Sequence, residues 1–167
     1  MPLTPDDLFA RLDRLGIETT TVEHPPLFTV ADSQSLRGEI KGGHSKNLFM
    51  KDKKGRLWLL VAEEDAQIDL KSLHGRIGSA RLSFGKPDLL METLGVAPGS
   101  VTPFGIANDT DNRVTVILDE GLMRHEKLNF HPLTNEATTT IAREDLVTFL
   151  TDCGHPPQIL AVSAETD

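Results

Sequence analysis

The chain has 167 residues, of which 38% are hydrophobic and 25% charged, and this composition is typical of a globular protein with one sizeable core. It contains no apolar run of the roughly 18 residues needed to span a bilayer. Its first residues do not resemble a secretory leader, and its single cysteine cannot form an internal disulfide. We therefore expect one cytoplasmic domain over residues 1–167 with no membrane contact.

The net charge of -8 argues against nonspecific binding to nucleic acid, but the charge is unevenly distributed. Residues 37–56 contain seven lysines and arginines against two acidic residues, so this segment has a net charge of +5 and the remainder has -13. A basic patch on an acidic body favours a directed contact with a polyanion over general adhesion. A solvated hairpin edge that carries lysines is the alternative interpretation.

The N-terminal part is predicted to contain a helix, a strand and a second helix. The first helix has Thr4 as its cap and a proline at its first position, and it ends at Gly16. A β-rich run over residues 19–22 leads into His24-Pro25-Pro26, where neither a helix nor a central strand can continue. Residues 29–40 are predicted as a second helix whose end is softened by glycine.

Two apolar runs at residues 47–50 and 57–62 flank Asp52-Lys53-Lys54-Gly55, a loop that is typical of a β-hairpin. Further elements follow in chain order: a short helix at 69–73, a strand at 81–84, a helix at 87–94, strands at 114–118 and 138–141, a helix at 143–150 and an apolar run at 159–162. Helices and strands alternate irregularly. We therefore expect an α/β fold in which helices flank a mixed sheet.

Several kinds of chemistry find no support in the residue spacing. His125 and His131 are wrongly spaced for two zinc ligands on one helix turn, and Cys153 has no cysteine partner. Residues 108–112 lack the glycine and the distal glutamate of a calcium loop, so an Asx-rich turn is expected there. No serine lies in a G-x-S-x-G motif, and the glycines, lysine and serine at 42–46 are not in P-loop order. We expect neither a metal nor a cofactor.

Three other segments could carry chemistry together. Lys46-Asn47 stands at the mouth of a predicted strand, where a lysine could reach an anionic group. The loop from Gly99 to Pro103 could turn its backbone N–H groups inward. His131 ends a predicted strand in Asn129-Phe130-His131-Pro132, which would hold its imidazole near the rim of a pocket. Taken singly, these features are typical of a surface lysine, a turn and a structural histidine.

Taken together, these motifs resemble the YbaK-like family, which comprises the editing domain of bacterial prolyl-tRNA synthetases and its free-standing relatives. The resemblance extends from about Leu15 to Leu160 and is carried by His24-Pro25-Pro26 with Phe28-Thr29, Lys46-Asn47-Leu48-Phe49, the G-x-x-x-P loop from Gly99 to Pro103, and Asn129-Phe130-His131-Pro132 with Asn135 and Thr138. The Asn-Phe-His-Pro segment and the chain length look most like the ProX type, which deacylates alanyl-tRNA(Pro).

The resemblance implies an editing-domain fold and a hydrolase that cleaves the ester of mischarged tRNA(Pro) in trans, with no cofactor. It implies a monomer, and it makes prolyl-tRNA synthetase and the elongation machinery candidate protein partners. The implied catalytic residues are Lys46, Asn47, Gly99, Pro103 and His131, and the implied tRNA-binding residues are Lys51 and Arg81.

The implied reaction assigns a role to each segment. N–H groups of the Gly99 to Pro103 loop would bind the carbonyl oxygen or the surroundings of the substrate amine, Lys46 would hold the terminal adenosine phosphate or supply positive potential, and Asn47 and His131 would orient substrate or water. The pocket must admit the methyl group of alanine and exclude proline by its bulk. Its candidate walls are Phe28, Leu36, Ile106 and Phe130.

Alternative functions remain open at this point. Within the family, the substrate could be cysteinyl-tRNA(Pro) or another small aminoacyl-tRNA, since the volume of the pocket decides the specificity. Outside it, the chain could be a noncatalytic RNA-end-binding or protein-binding module, or a small structural or regulatory domain.

Overall fold

The structure is a computed structural model that describes residues 2–26, 40 and 42–163. Its strands are β1 Thr19–Glu23, β2 Gly43–Asp52, β3 Leu57–Glu63, β4 Leu82–Phe84, β5 Val114–Asp119, β6 Lys127–Phe130, β7 Ala137–Ala142 and β8 Gln158–Leu160. Its α-helices are α1 Pro5–Arg14, α2 Leu73–Ile77, α3 Pro87–Leu94 and α4 Arg143–Asp152, and 3-10 helices cover Pro98–Ser100, Pro103–Asn108 and Leu122–Arg124. The expected α/β fold with a mixed sheet is confirmed.

The strands form one sheet in the order β1-β7-β6-β2-β3-β5-β8, with β4 paired to β2. Strand β2 joins the two halves of this sheet. On one edge it pairs with β3 in antiparallel fashion from Ser45 to Lys51. On its other edge it pairs in parallel with β6 through Gly43 and His44, and then in antiparallel fashion with β4 from Met50 onwards.

This second edge of β2 is interrupted. After His44 pairs with Asn129, the next backbone pairing on this edge is at Phe49, whose carbonyl oxygen accepts a hydrogen bond from the Gly85 N–H at 2.9 Å. No described strand pairs with residues 45–48 on this side, and we call this interval the β2 gap. Among the described strands, the sheet is therefore open at the segment that contains Lys46 and Asn47.

Hydrophobic cores cover both faces of the central strands. The larger core combines alternate residues of β3 and β5 with the apolar sides of α1, α3 and α4. The smaller core combines the intervening residues Trp58, Leu60 and Ile117 with α2. Because successive residues of a strand point to opposite faces, β3 is buried on both, and none of its residues from Leu57 to Ala62 is more than 3% exposed.

Local side-chain chemistry fixes two of the predicted elements. Helix α1 begins with a capping box, in which the Thr4 hydroxyl accepts from the Asp7 N–H at 3.2 Å and the Asp7 carboxylate accepts from the Thr4 N–H at 2.9 Å. In the β2–β3 hairpin, one Asp52 carboxylate oxygen accepts from the N–H groups of Lys54 and Arg56, both at 2.9 Å. Both the capped helix and the hairpin were predicted and are confirmed.

Two expectations need comment. The short helix expected at 69–73 lies instead at Leu73–Ile77. The Asp69 carboxylate accepts from the Lys71 N–H and the Ser72 hydroxyl, so this stretch forms a turn before the helix. The second helix expected at 29–40 falls almost entirely on residues outside those described. No helix in the described part of the chain is long and apolar enough to cross a membrane.

Candidate active site

Lys46 and Asn47 both lie in the β2 gap, but their side chains point to opposite faces of the sheet. Asn47 pairs with Val61, a residue of the larger core. Lys46 is two residues before Leu48, which packs against the smaller core, and its Nζ donates a hydrogen bond to the carbonyl oxygen of Ala66. The two residues are predicted as one motif, yet their side chains lie on different sides of β2.

Asn47 carries an unused acceptor. Its Nδ2 lies 3.4 Å from the Ser45 hydroxyl, which itself donates to the Asn129 carbonyl oxygen at 2.9 Å. The Oδ1 atom of Asn47 is buried and accepts no hydrogen bond from any described residue. An unsatisfied buried acceptor costs about 1–3 kcal/mol. A donor that enters the gap, such as an ammonium group or a water molecule, would recover this energy.

His131 directly follows β6 and is half-buried. Its Nδ1 lies 3.1 Å from the Ala137 carbonyl oxygen, and because a carbonyl can only accept, Nδ1 carries the proton. Burial lowers the pKa of His131, the hydrogen bond to Ala137 raises it, and the nearby His24 lowers it, with a net decrease. The imidazole is therefore neutral at neutral pH, and its Nε2 presents a lone pair.

His24 lies beside His131, and the sequence marks it only as the first residue of the His24-Pro25-Pro26 motif. Its Nε2 lies 2.8 Å from the Thr138 hydroxyl and its Nδ1 2.8 Å from the Pro25 carbonyl oxygen. The His24 and His131 rings have their centroids 6.5 Å apart. The signal in the sequence was the two prolines after His24, which end β1 beside β7 and leave the ring against Thr138.

The Gly99 to Pro103 loop lies beside the segment that follows His131. A Cβ atom on Gly99 would stand 3.4 Å from Nδ2 of Asn135, while Pro103 is buried and starts a 3-10 helix. The N–H groups of Ser100, Phe104 and Gly105 donate within the loop. Those of Gly99, Val101 and Thr102 donate to no other described residue. The loop can therefore offer N–H donors to a bound group.

Lys51 and Arg81 lie together but away from this site. Lys51 pairs with Ser83 of β4, and the Lys53 N–H donates to the Arg81 carbonyl oxygen at 3.0 Å. Lys51 is five residues beyond Lys46, a distance of about 16 Å along a strand. Both side chains are exposed. They therefore form a rim beyond the gap.

The structure contradicts two of the expected pocket walls. Ile106 and Phe130 are only 1% and 2% exposed and belong to the larger core. The Phe130 ring packs edge-on against Phe104 with the centroids 5.9 Å apart, so it is a core residue and presents no surface to a substrate. The other two candidates, Phe28 and Leu36, lie outside the described residues.

Two further features bear on function. A cleft of about 890 Å³ runs along β1 and the starts of β6 and β2, but its lining includes none of the predicted site residues. Within the described ranges, no group of three or more histidine, cysteine or acidic side chains is arranged to hold a metal ion.

Comparison with known proteins gives consistent matches. The family model described as "Aminoacyl-tRNA editing domain" matches residues 24–149. A Bos taurus protein named "Prolyl-tRNA synthetase associated domain-containing protein 1" is 42% identical over 155 residues, which cover 90% of each chain. The "Prolyl-tRNA editing protein ProX" of Acetoanaerobium sticklandii is 40% identical over 140 residues, 83% of this chain and 85% of that protein.

Solved structures show the same fold. One is described as a candidate trans-editing enzyme for prolyl tRNA synthetase, with a TM-score of 0.73 and 20% sequence identity, over 98% of this chain and 99% of that one. Another, of a hypothetical protein, gives a TM-score of 0.75 at 18% identity over 94% of this chain and 99% of that one. At these identities the likeness supports the fold alone.

Proposed function

The chain belongs to the aminoacyl-tRNA editing domain family and is a hydrolase of that family, and we propose that it removes alanine from mischarged tRNA(Pro) in trans. The observation that carries this proposal is the interruption of the sheet at residues 45–48. Lys46 and the unpaired buried amide oxygen of Asn47 lie in this gap, and β6, which pairs with β2 just before the gap, ends at the residue before His131.

We propose that water attacks the carbonyl carbon of the ester. The bond from that carbon to the ribose oxygen breaks, the proton passes to the ribose oxygen, and the products are alanine and tRNA(Pro). Nε2 of His131 accepts a hydrogen bond from the attacking water, because the Nδ1 proton is committed to Ala137. In this scheme the N–H groups of Gly99, Val101 and Thr102, which donate to no other described residue, stabilise the developing oxyanion.

The two residues of the gap have separate roles in this scheme. Oδ1 of Asn47 accepts a hydrogen bond from the ammonium group of the aminoacyl moiety, on the face of the larger core. Lys46 lies on the other face, and after donating to Ala66 its ammonium retains two N–H donors for a phosphate of the terminal adenosine. The opposite directions of the two side chains suit a substrate that passes through the gap.

Alanine requires a second selection step because a synthetase site for proline cannot strongly reject a smaller side chain. One missing methylene changes binding by only about 1–3 kcal/mol. An editing pocket that admits a methyl group and excludes the proline ring by its bulk supplies the remaining discrimination.

We propose that residues 1–167 form one such editing domain, which works as a monomer in the cytoplasm. Its substrate is mischarged tRNA that prolyl-tRNA synthetase has released or that is bound to the elongation machinery.

The test is a panel of four substrates. tRNA(Pro) is charged separately with alanine, cysteine, serine and proline, and loss of each ester is followed with the wild-type protein. We expect rapid loss of alanine while the prolyl ester persists. Preference for cysteine or serine would place the chain in a sister activity, and cleavage of none of the esters would indicate a noncatalytic RNA-end-binding module.

A further inference from the structure

Phe84, at the end of β4, is an exposed aromatic residue that has no role in the proposed reaction. Its side chain is 59% exposed, more than any other exposed large hydrophobic residue in the described chain. A single exposed aromatic ring is common on protein surfaces. Its meaning therefore depends on which groups surround it.

Several basic side chains lie around Phe84. It shares a cleft of about 610 Å³ with Lys51, Lys53 and Lys86, all of them exposed. At the other end of β4, Arg81 adds a fourth positive charge.

Three carboxylates also line this cleft. Asp88 and Glu92 approach it from α3, and Glu92 is 3.7 Å from Arg113. The Asp52 carboxylate is buried and accepts hydrogen bonds from Trp58 and Ala80 in addition to the hairpin amides. The surface beside β4 therefore presents an aromatic ring next to three exposed lysines, and Asp88 is the exposed carboxylate of this cleft with no salt-bridge partner among the described residues.

An exposed ring surrounded by lysines is the arrangement that binds unpaired nucleotides. A base stacks on the aromatic face, and the lysines contact the phosphates on either side of it. Such stacking tolerates any base because every base has a π face.

The position of Phe84 relative to the β2 gap supports a single-stranded RNA end as the ligand. Phe84 pairs with Met50, so it shares a face of the sheet with Met50 and Lys46. Met50 is four residues beyond Lys46, about 13 Å along the strand. Three or four stacked nucleotides, at about 3.4 Å each, cover this distance. An RNA whose terminal nucleotide lies at Lys46 would place an unpaired base of its 3′ end at Phe84.

We propose that Phe84 stacks on an unpaired base close to the 3′ end of the tRNA, while Lys53 and Lys86 contact the neighbouring phosphates. This inference rests on the proposed function, because it places the terminal nucleotide at the β2 gap. It adds a stacking residue to a surface for which the sequence had suggested only positive charges.

The test measures binding of a fluorescent RNA hairpin that carries the tRNA(Pro) acceptor stem and an uncharged four-nucleotide 3′ overhang. Phe84→Ala should weaken binding about fivefold or more, as expected for the loss of one stacked base. Phe84→Trp should retain the affinity, and its added tryptophan fluorescence should be quenched by the RNA. Met91→Ala, which removes another exposed hydrophobic side chain, should bind like the wild type.

A blunt hairpin without the overhang distinguishes binding by base stacking on Phe84 from binding by electrostatic contacts with phosphates. Wild type and Phe84→Ala should bind it equally. The proposal would be overturned if wild type and Phe84→Ala bound the overhang hairpin with equal affinity. It would also be overturned if Phe84→Ala lost as much affinity for the blunt hairpin as for the overhang hairpin. If the wild type cleaves no ester but the overhang contrast persists, the proposed reaction fails and the stacking site stands. If the wild type cleaves alanyl-tRNA(Pro) while Phe84→Ala keeps its affinity and KM, the stacking site fails and the reaction stands.

Discussion

His131 donates through Nδ1 to the Ala137 carbonyl, and this leaves Nε2 as the acceptor for water. Burial, the largest influence, and His24 keep the pKa of His131 below its ordinary value, against the raising effect of the Ala137 contact. The ring is therefore neutral at a pH where an exposed histidine would already be partly protonated.

This tautomer predicts the pH dependence of the reaction. Because only the neutral ring accepts a hydrogen bond from water, the enzymatic rate of ester loss between about pH 8 and about pH 5 should fall as the pH drops through the folded-state pKa, which lies below the ordinary value for histidine. The measurement is single-turnover deacylation across this range, with the uncatalysed rate subtracted. His131→Gln should lower the rate and abolish this acid limb; an unchanged profile in that variant would contradict the assigned role.

Cys153 gives a second prediction for a single residue. It caps the end of α4 and is half-buried; burial raises the pKa of its thiol to about 11, with a lowering contribution from Arg11 and a raising one from Asp152. At pH 8 it should react with iodoacetamide about a hundredfold more slowly than a thiol of ordinary pKa. The reaction is followed by mass spectrometry, and unfolding in guanidinium should restore the ordinary rate. Rapid labelling of the folded protein would show that the thiol is accessible and ionised.

The β2–β3 hairpin depends on one buried carboxylate. Asp52 is 3% exposed, and its oxygens accept from the N–H groups of Lys54, Arg56 and Ala80 and from the Trp58 indole. Burial raises the pKa of Asp52, but these hydrogen bonds outweigh burial and hold the pKa below its ordinary value.

Replacing this carboxylate should destabilise the hairpin. In Asp52→Asn, the side-chain NH2 group replaces one carboxylate oxygen and cannot accept from the two N–H donors that this oxygen had bound. The free energy of unfolding should therefore fall by about 1–3 kcal/mol. Urea denaturation at pH 7 measures the change, and Asp69→Asn, at an exposed turn, is the matched control.

The pH dependence of stability provides an independent check. Because the folded-state pKa of Asp52 is below the unfolded one, its stabilisation is present above the ordinary pKa and is lost as the pH falls through the folded-state pKa. The stability difference between wild type and Asp52→Asn should therefore shrink at acidic pH. A constant difference would mean that the charge of Asp52 does not stabilise the hairpin.

At the scale of the whole molecule, the basic rim on an acidic body predicts a salt-dependent KM. Each lysine or arginine that contacts a phosphate contributes about one unit to the slope of log affinity against log salt concentration. Lys51→Ala and Arg81→Ala should each raise KM at low salt and reduce this slope by about one. KM for alanyl-tRNA(Pro) is measured from 50 to 300 mM KCl, with Lys71→Ala, outside this rim, as the control. Wild-type slopes in both rim variants would remove Lys51 and Arg81 from the tRNA contact.

Much of the fold could be predicted from the sequence because its local signals agree. Thr4 and the proline after it fix the start of α1, helix α3 has its predicted bounds at Pro87–Leu94, and strands β5 and β7 extend the predicted runs by only one or two residues. In each case the hydrophobic period and the capping or turn residues favour the same element.

Other features depend on contacts that the sequence does not display. Strand β2 begins at Gly43, not at Asn47, and a glycine is required there because the His125 ring would lie 2.6 Å from a Cβ atom. Likewise, the sequence around Cys153 does not predict that His155 is buried with its Nε2 atom 2.8 Å from Oδ2 of Asp109. These are pairings between distant parts of the chain, which local patterns cannot identify.

The candidate site was predicted only in part. The motifs predict Lys46, the glycine loop and His131 as site residues, but they do not predict the β2 gap, since pairing on one edge of β2 is a property of the sheet. The opposite directions of Lys46 and Asn47, by contrast, follow from the period of a strand and could have been predicted.

The central claim is that the β2 gap is where the alanyl ester is hydrolysed, and the most direct measurement is the single-turnover rate of alanine release from tRNA(Pro) by wild type and Lys46→Ala. Lys71→Ala serves as the matched control for loss of a lysine. We predict release by the wild type and by Lys71→Ala well above the uncatalysed rate, and a loss of about tenfold or more in Lys46→Ala. Equal rates in wild type and Lys46→Ala would contradict the assignment of the gap as the active site.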